Sequence, residues 1–269
     1  MNAALYVVAT PIGNLEDLTL RALRVLREAH VLLAEDTRHV RVLLDHHAIV
    51  RAPAISCHEH NESERVGLVL GALREGRSVA LVTDAGTPGI SDPGYRLVAA
   101  VREAGLAVVP VPGACAAVAA LSASGMATDR FTFVGFAPKK AGARRTFLDA
   151  LGSECGTVVL YAAARDVPAL LAEVADERAV VVFREITKQF EECLRGTASQ
   201  LRAEWERAPR KGECVVLLDR TEPVTDEVTD DQLLAMMKEH RPSEVAKRTG
   251  VSRQRVYALL RGPDSESSL

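Results

Sequence analysis

The residues best suited to chemistry gather in short segments that each follow an apolar run. The longest is Thr83-Asp84-Ala85-Gly86-Thr87-Pro88-Gly89-Ile90-Ser91-Asp92-Pro93-Gly94, directly after Val79-Ala80-Leu81-Val82. It holds three Gly, two Pro, two Asp and three hydroxyls. Glycine lets a ligand approach bare backbone and allows positive φ. Proline fixes φ and removes a donor, so the loop is stiff. These residue types also dominate ordinary turns, but a turn needs only about four residues. Long loops without regular structure are usually functional, and a ligand site is the expectation here.

Thr10-Pro11-Ile12-Gly13-Asn14 follows the apolar run at the N-terminus. Glu35-Asp36-Thr37-Arg38 places two carboxylates and a guanidinium after another such run. These charges suit either phosphate or substrate contact, or a fork between Arg and a carboxylate at a helix start. His58-Glu59-His60-Asn61-Glu62 lacks the third anchor of a zinc site, and no metal is expected. Gly113-Ala114-Cys115-Ala116-Ala117 opens a small-residue helix whose free N–H groups could meet a ligand. Cys115 reads as a small buried hydrophobe. The chain has no G-x-G-x-x-G fingerprint, no phosphate-binding P-loop and no G-x-S-x-G elbow.

The elements that must hold these segments alternate. Strand-length apolar runs at 5–9, 31–34, 79–82 and 107–111 are unbroken rather than alternating, which predicts a mostly parallel sheet covered on both faces. Leu18, Ala22, Val25, Leu26 and Ala29 line one face of a helix over 18–29. Asn61 with Glu64 suggests a capping box. Pro110-Val111-Pro112-Gly113 interrupts the pattern and reads as a domain junction. A second series follows, with strands at 131–135, 157–161, 179–184 and 214–219, a hairpin partner near 190–195, and helices at 142–151, 166–175 and 197–207. The reading is therefore α/β, with domains 1–111 and 112–225. Segment 221–230 is a polar linker, and 226–269 is a small helical tail.

The chain has 269 residues, 48% hydrophobic and 26% charged, with a net charge of −3. That is ordinary for a globular protein and long enough for one or two domains. No apolar run approaches the ~18 residues of a membrane span. The N-terminus lacks the basic region of a signal peptide. Five scattered cysteines without a C-x-x-C pair fit a reducing cytoplasm rather than a disulfide framework.

Two local basic clusters offset the acidic balance. Lys139, Lys140, Arg144 and Arg145 follow Phe136-Ala137-Pro138. From Lys238 to Arg261, seven Lys/Arg face two Glu, and 241–257 reads as helix, turn, helix, with Arg253 and Arg255 on the second helix. Such units commonly grip nucleic acid, although a packed helical hairpin with a solvated basic face fits equally well. Both clusters are candidate RNA-binding surfaces.

The loops at 10–14, 35–38, 58–62, 84–94 and 111–113, with Leu121-Ser122-Ala123-Ser124-Gly125 and Lys211-Gly212-Glu213, occur in an order and spacing that resemble the ribosomal RNA small-subunit methyltransferases of the tetrapyrrole-methylase-like superfamily. The resemblance spans roughly 4–220. It implies two α/β domains of the class III methyltransferase type, with S-adenosylmethionine in the cleft between them. It implies 2′-O-methylation of a cytidine in 16S rRNA, in the decoding region of the small ribosomal subunit, by a homodimer. On that basis Asp84, Ala85, Gly86, Thr87, Pro88 and Ser91 are assigned to cofactor contact, with Pro11, Pro112, Gly113, Ala114 and Tyr161 as further candidates. Asp92 and Asp36 are candidates for the base or substrate orienter. Tyr161-Ala162-Ala163-Ala164-Arg165-Asp166 stands where the family usually has Tyr-Glu-Ser-Pro-His-Arg, so no role transfers to those missing side chains. The alternatives are a porphyrinoid C-methyltransferase, whose usual Gly-x-Gly-Asp-Pro is absent here, and a non-catalytic nucleic-acid-binding regulator.

Overall fold

A computed structural model describes residues 1–151, 155–220, 229–238, 240–242, 245, 246, 256, 257 and 259. The chain forms two compact units, Met1–Arg220 and Thr221–Leu269.

The first unit holds two five-stranded sheets. In the first, β1 (Leu5–Val8), β2 (Val31–Ala34), β3 (Ile55–Ser56), β4 (Val79–Val82) and β5 (Val108–Val111) run parallel in the order β3-β2-β4-β1-β5. Its helices are α1 (Leu20–Glu28), α2 (Thr37–His46), α3 (Glu62–Arg74) and α4 (Tyr95–Glu103). They bury Val25, Leu26, Leu43 and Leu44 on one face of the sheet and Val69, Leu73, Leu97 and Val101 on the other. Burial on both faces is why the strands read as unbroken apolar runs. Thr19 caps α1 by accepting the Ala22 N–H at 3.0 Å.

Two expectations change here. Asn61 begins α3 without a side-chain cap. Its Oδ1 instead accepts the His58 N–H at 2.8 Å, because the tight His58 turn leaves that donor open. Pro110 does not break β5 but pairs opposite Val7 at the edge of the sheet, where a missing N–H costs no ladder bond.

The second sheet comprises β6 (Phe131–Phe136), β7 (Thr157–Ala163), β8 (Ala179–Arg184), β9 (Glu192–Thr197) and β10 (Glu213–Leu218) in the order β6-β7-β10-β8-β9. Only β6 and β7 are parallel; the other pairs are antiparallel. The mostly parallel reading, made on the first series of strands, holds for the first sheet. In the second, the hairpin partner expected near 190–195 is β9, joined to β8 by the short 185–191 link. One face packs α6 (Ala141–Asp149), α7 (Val167–Leu171) and α8 (Ala198–Arg207) around Leu160, Leu171 and Trp205. The other receives α5 (Ala116–Ala123) against Val159, Val181 and Val215. α7 is shorter than the expected 166–175 helix and follows a 3₁₀ turn at Ala164–Asp166.

In the second unit α9 (Asp230–Met237) starts with a Thr229–Gln232 capping box. Leu233, Val245, Ala246 and Val256 form its buried cluster. Most of the expected helix-turn-helix at 241–257, including Arg253 and Arg255, lies outside the described residues.

Candidate active site

β1 and β4 are neighbouring strands whose following connections run in opposite directions, to β2 and to β5, and cross. Open α/β sheets bind ligands outside the carboxyl ends of their strands. The two exits are zipped together. Thr10 N–H donates to Gly86 O at 2.8 Å and Gly86 N–H to Thr10 O at 3.1 Å. This antiparallel bridge holds Gly86 at φ 77°, a conformation that favours glycine. The Thr87 hydroxyl donates to Ala114 O at 3.1 Å, fastening the 83–94 loop to the link before α5.

The same loop reaches the second sheet. Ser91 stands at φ 63°, and a Cβ on Gly135 would come within 3.1 Å of its Oγ. Gly135 lies at an irregularity in the β6–β7 ladder, at φ 66°. Glu185 and Thr187, in the β8–β9 link, also adopt positive φ (51° and 66°). Strain of this kind persists only where surrounding structure enforces it, and it clusters at ligand sites.

Between the sheets is a cavity of about 270 Å³. Ile12, Ala85, Ile90, Ala116, Phe136, Ala162, Ala163, Ile186 and Val215 give it apolar walls. Gly86, Thr87, Ser91, Asp92, Tyr161, Glu185, Lys188 and Glu213 are among its remaining lining residues. Tyr161 makes edge contacts with Phe133 and Phe136, with ring centroids 4.8 and 5.7 Å apart. Its hydroxyl accepts the Ala117 N–H at 3.2 Å, at the start of α5. Burial, reinforced by nearby Cys115, pushes the phenol up to about 12, so it stays protonated.

Asp92 is the carboxylate on this cavity that burial changes most. Removal from water, then the negative charges of Glu35 and Asp84, raise its pKa to about 6, against an opposing hydrogen bond from Thr83. Glu35 is itself raised, chiefly by burial. A carboxylate poised near neutrality is suited to general-base work.

Asp36 does different work. Its carboxylate accepts the Arg38 backbone N–H at 2.8 Å as the cap of α2 and forks with the Arg38 guanidinium. These bonds hold it well below the usual carboxylate range. With its oxygens engaged by Arg38, this carboxylate braces the start of α2.

A second cavity of about 330 Å³ adjoins the first. Thr10, Pro11, Gly13, Leu15, His39, Val40, Val42, Leu43, Thr83 and Asp84 line it; Ile12, Ala85, Lys188 and Glu213 line both. Pro11 and Asp84, expected at the cofactor, therefore face the second cavity. Asp84 is also tied down: Oδ1 accepts the Asp36 N–H at 2.9 Å and Oδ2 pairs with His39 Nδ1 at 3.0 Å. Pro88 is buried behind the loop. Pro112, Gly113 and Ala114 sit beside the cavities, one residue short of the wall that Cys115 and Ala116 supply. Gly113 packs on Ala9, whose Cβ would lie 2.9 Å from a Cβ placed there.

Glu185, Ile186, Lys188 and Cys214 belong to the site and escaped sequence reasoning. Lys188 Nζ bonds Glu185 Oε1 at 2.9 Å and Glu213 Oε2 at 2.8 Å. Burial disfavours its charge, but the two carboxylates outweigh this and raise its pKa. The signal was present: Glu185-Ile186-Thr187-Lys188 follows an apolar strand just as the earlier loops do. The His58–Glu62 motif is structural instead. Buried Glu62 accepts the Leu97 N–H of α4 at 2.8 Å, and among the described residues no three His, Cys, Asp or Glu side chains form a metal-binding group.

Of the first basic cluster, Lys139, Lys140 and Arg145 are exposed. Arg144 is not a free surface cation: it pairs with Glu173 at 2.8 Å, with 12% and 15% of the two side chains exposed. Contrary to expectation, this guanidinium is directed at Glu173 and not at an RNA phosphate, because helical spacing turns it inward.

Solved structures share this two-sheet fold. A uroporphyrin-III C-methyltransferase from Thermus thermophilus is 24% identical with TM-score 0.56, over 81% of this chain and 94% of that one. A conserved hypothetical protein from Aeropyrum pernix is 18% identical with TM-score 0.64, over 96% and 99%. Residues 4–202 match the tetrapyrrole (corrin/porphyrin) methylases, and the chain belongs to that family. Within it, ribosomal RNA small subunit methyltransferase I of Mesorhizobium japonicum is 44% identical over 97% of this chain and 92% of its own length. The Pseudomonas aeruginosa relative of the same name is 48% identical over 80% and 78%.

Proposed function

We propose that this protein transfers a methyl group from S-adenosylmethionine to the ribose 2′-hydroxyl of a cytidine in 16S rRNA, in the decoding region of the small ribosomal subunit. The observation that carries this reading is the near full-length similarity to relatives named for small-subunit rRNA methylation. The first cavity suits the cofactor: apolar walls take an adenine, backbone at Ala85 takes its polar edge, and Ala162 and Ala163 leave room where the family usually has Glu and Ser.

When bound, the cofactor supplies an activated methyl on a sulfonium; the carbon–sulfur bond breaks as carbon–oxygen forms. Positioning supplies much of the acceleration in such a displacement. Ala85, Gly86, Thr87 and Ser91 hold the donor side, and Tyr161 closes the second sheet over it. Asp92 takes the hydroxyl proton.

Lys139, Lys140 and Arg145 offer phosphate contacts, and the basic tail adds to them. The lobes 1–111 and 112–225, the separate tail 226–269, a homodimer and a cytoplasmic location complete the reading. No helix among the described residues is long and apolar enough to cross a membrane.

The test is labelled S-adenosylmethionine with purified, undermethylated small subunits, followed by mapping of the methyl. Label on a cytidine 2′-oxygen is expected. Label on a base, or ligand-dependent nucleic-acid binding without transfer, would each refute the reading.

A further inference from the structure

Four residues, Ile12, Ala85, Lys188 and Glu213, line both cavities. A group seated in one cavity meets a group seated in the other across these four. Ile12 and Ala85 offer no side-chain polar atom there, so Lys188 and Glu213 are the shared polar side chains.

We propose that the second cavity seats the acceptor nucleotide, with its base against Val40, Val42 and Leu43 and its ribose turned to Lys188, whose ammonium donates to the 2′-oxygen that receives the methyl. This rests on the first cavity being the cofactor site.

The surroundings support the roles. Val42 is 60% exposed at the mouth of the cavity, whereas Val40 and Leu43 are buried behind it, giving an apolar wall open to an entering base. Lys188 is fixed rather than free. Its stem lies over Gly13, where any Cβ would run into it, and its Nζ sits between Glu185 and Glu213. The ammonium keeps its proton and therefore acts as a donor. A preorganised donor stabilises the alkoxide character that the 2′-oxygen takes on as its proton leaves for Asp92, and such a donor is worth a factor of about 10² to 10³ in rate. Glu185, whose carboxylate also accepts the Glu213 N–H at 2.9 Å, is a positioning residue acting through Lys188. As the carbon–oxygen bond forms, the hydroxyl proton passes to Asp92 and the Lys188 proton stays in place.

Val42→Trp and Lys188→Met separate the two parts, assayed by single-turnover methylation of small subunits with cofactor affinity measured by calorimetry. Val42→Trp is expected to raise the subunit concentration for half-maximal rate at least about tenfold by filling an apolar site, with cofactor affinity within about twofold. An unchanged half-saturation places the acceptor elsewhere and overturns the seat. Lys188→Met is expected to lower the saturated rate about 10²-fold, and Lys188→Arg to recover part of it. A saturated rate equal to wild type, with only half-saturation raised, overturns the donor role. If the wild-type protein transfers no methyl to small subunits, the proposed function fails, a result distinct from either variant outcome.

Discussion

Replacing Asp92 by Asn tests the base directly. The change keeps size and the capacity to accept from Thr83 but removes the proton acceptor. A positioned base contributes a factor of about 10² to 10⁴, so saturated single-turnover rates should fall by that range with cofactor affinity retained. The pH dependence follows from the same environment. Asp92 acts when deprotonated, and burial with the Glu35 and Asp84 charges lifts its pKa to about 6. The wild-type rate should therefore rise through that pH, with about a tenth of the plateau at pH 5 and about nine-tenths at pH 7. Removing a like charge favours the ionised form, so Glu35→Gln should move this limb to lower pH. Stability runs the other way. The folded state holds this proton more tightly than the unfolded chain, whose ordinary value is 3.8. Its charge therefore costs stability progressively as pH rises from about 4 to 6, and Asp92→Asn relieves that cost at pH 7. Stopped assays across pH 4.5–8, paired with denaturant melts, read both. An Asp92→Asn variant within about threefold of wild type, or one that keeps the acid limb, would refute the assignment.

Charge reversal at Lys140 and Arg145 should weaken small-subunit binding and flatten its salt dependence by about 0.7 per lost single-strand phosphate contact, with cofactor affinity unchanged; binding titrations at several salt concentrations check this. Arg144→Ala should instead lower folding stability by about 2–3 kcal/mol, because Glu173 loses its partner in a largely buried site, measured by urea unfolding. Gly156→Ala should lose about 2 kcal/mol or more, since it combines positive φ with a Cβ driven into the Arg130 carbonyl; the thermal midpoint reports it.

Much of the first sheet was legible because its strands are buried on both faces and so read as unbroken apolar runs. β2 and β4 fall on the expected residues, and β1 and β5 differ by one. Two-residue β3 carries too little pattern to stand out, and only its pairing with β2 makes it a strand. The stiffness of the Gly/Pro loop was legible because its composition demands unusual backbone, which Gly86 and Ser91 adopt. The site's other half was not. Glu185 and Lys188 lie roughly a hundred residues beyond that loop, in a link that looks like a simple hairpin. Their importance comes from the second sheet setting them opposite Ile12 and Ala85.

The sequence by itself determined the alternation of strands and helices, the stiff loops at strand exits and the ordered motif series that marks the family. These are local properties, carried by periodicity and by the conformational limits of Gly and Pro. Tertiary structure alone decided how differently two like carboxylates are placed. Asp36 and Asp92 are the same residue type at two strand exits. One is spent on Arg38; the other is drawn out of water beside Glu35 and Asp84. Desolvation and neighbouring charge depend on what the fold brings within a few ångströms. The same dependence separates Pro11 and Asp84 from the first cavity and turns Arg144 from a surface cation into a buried partner.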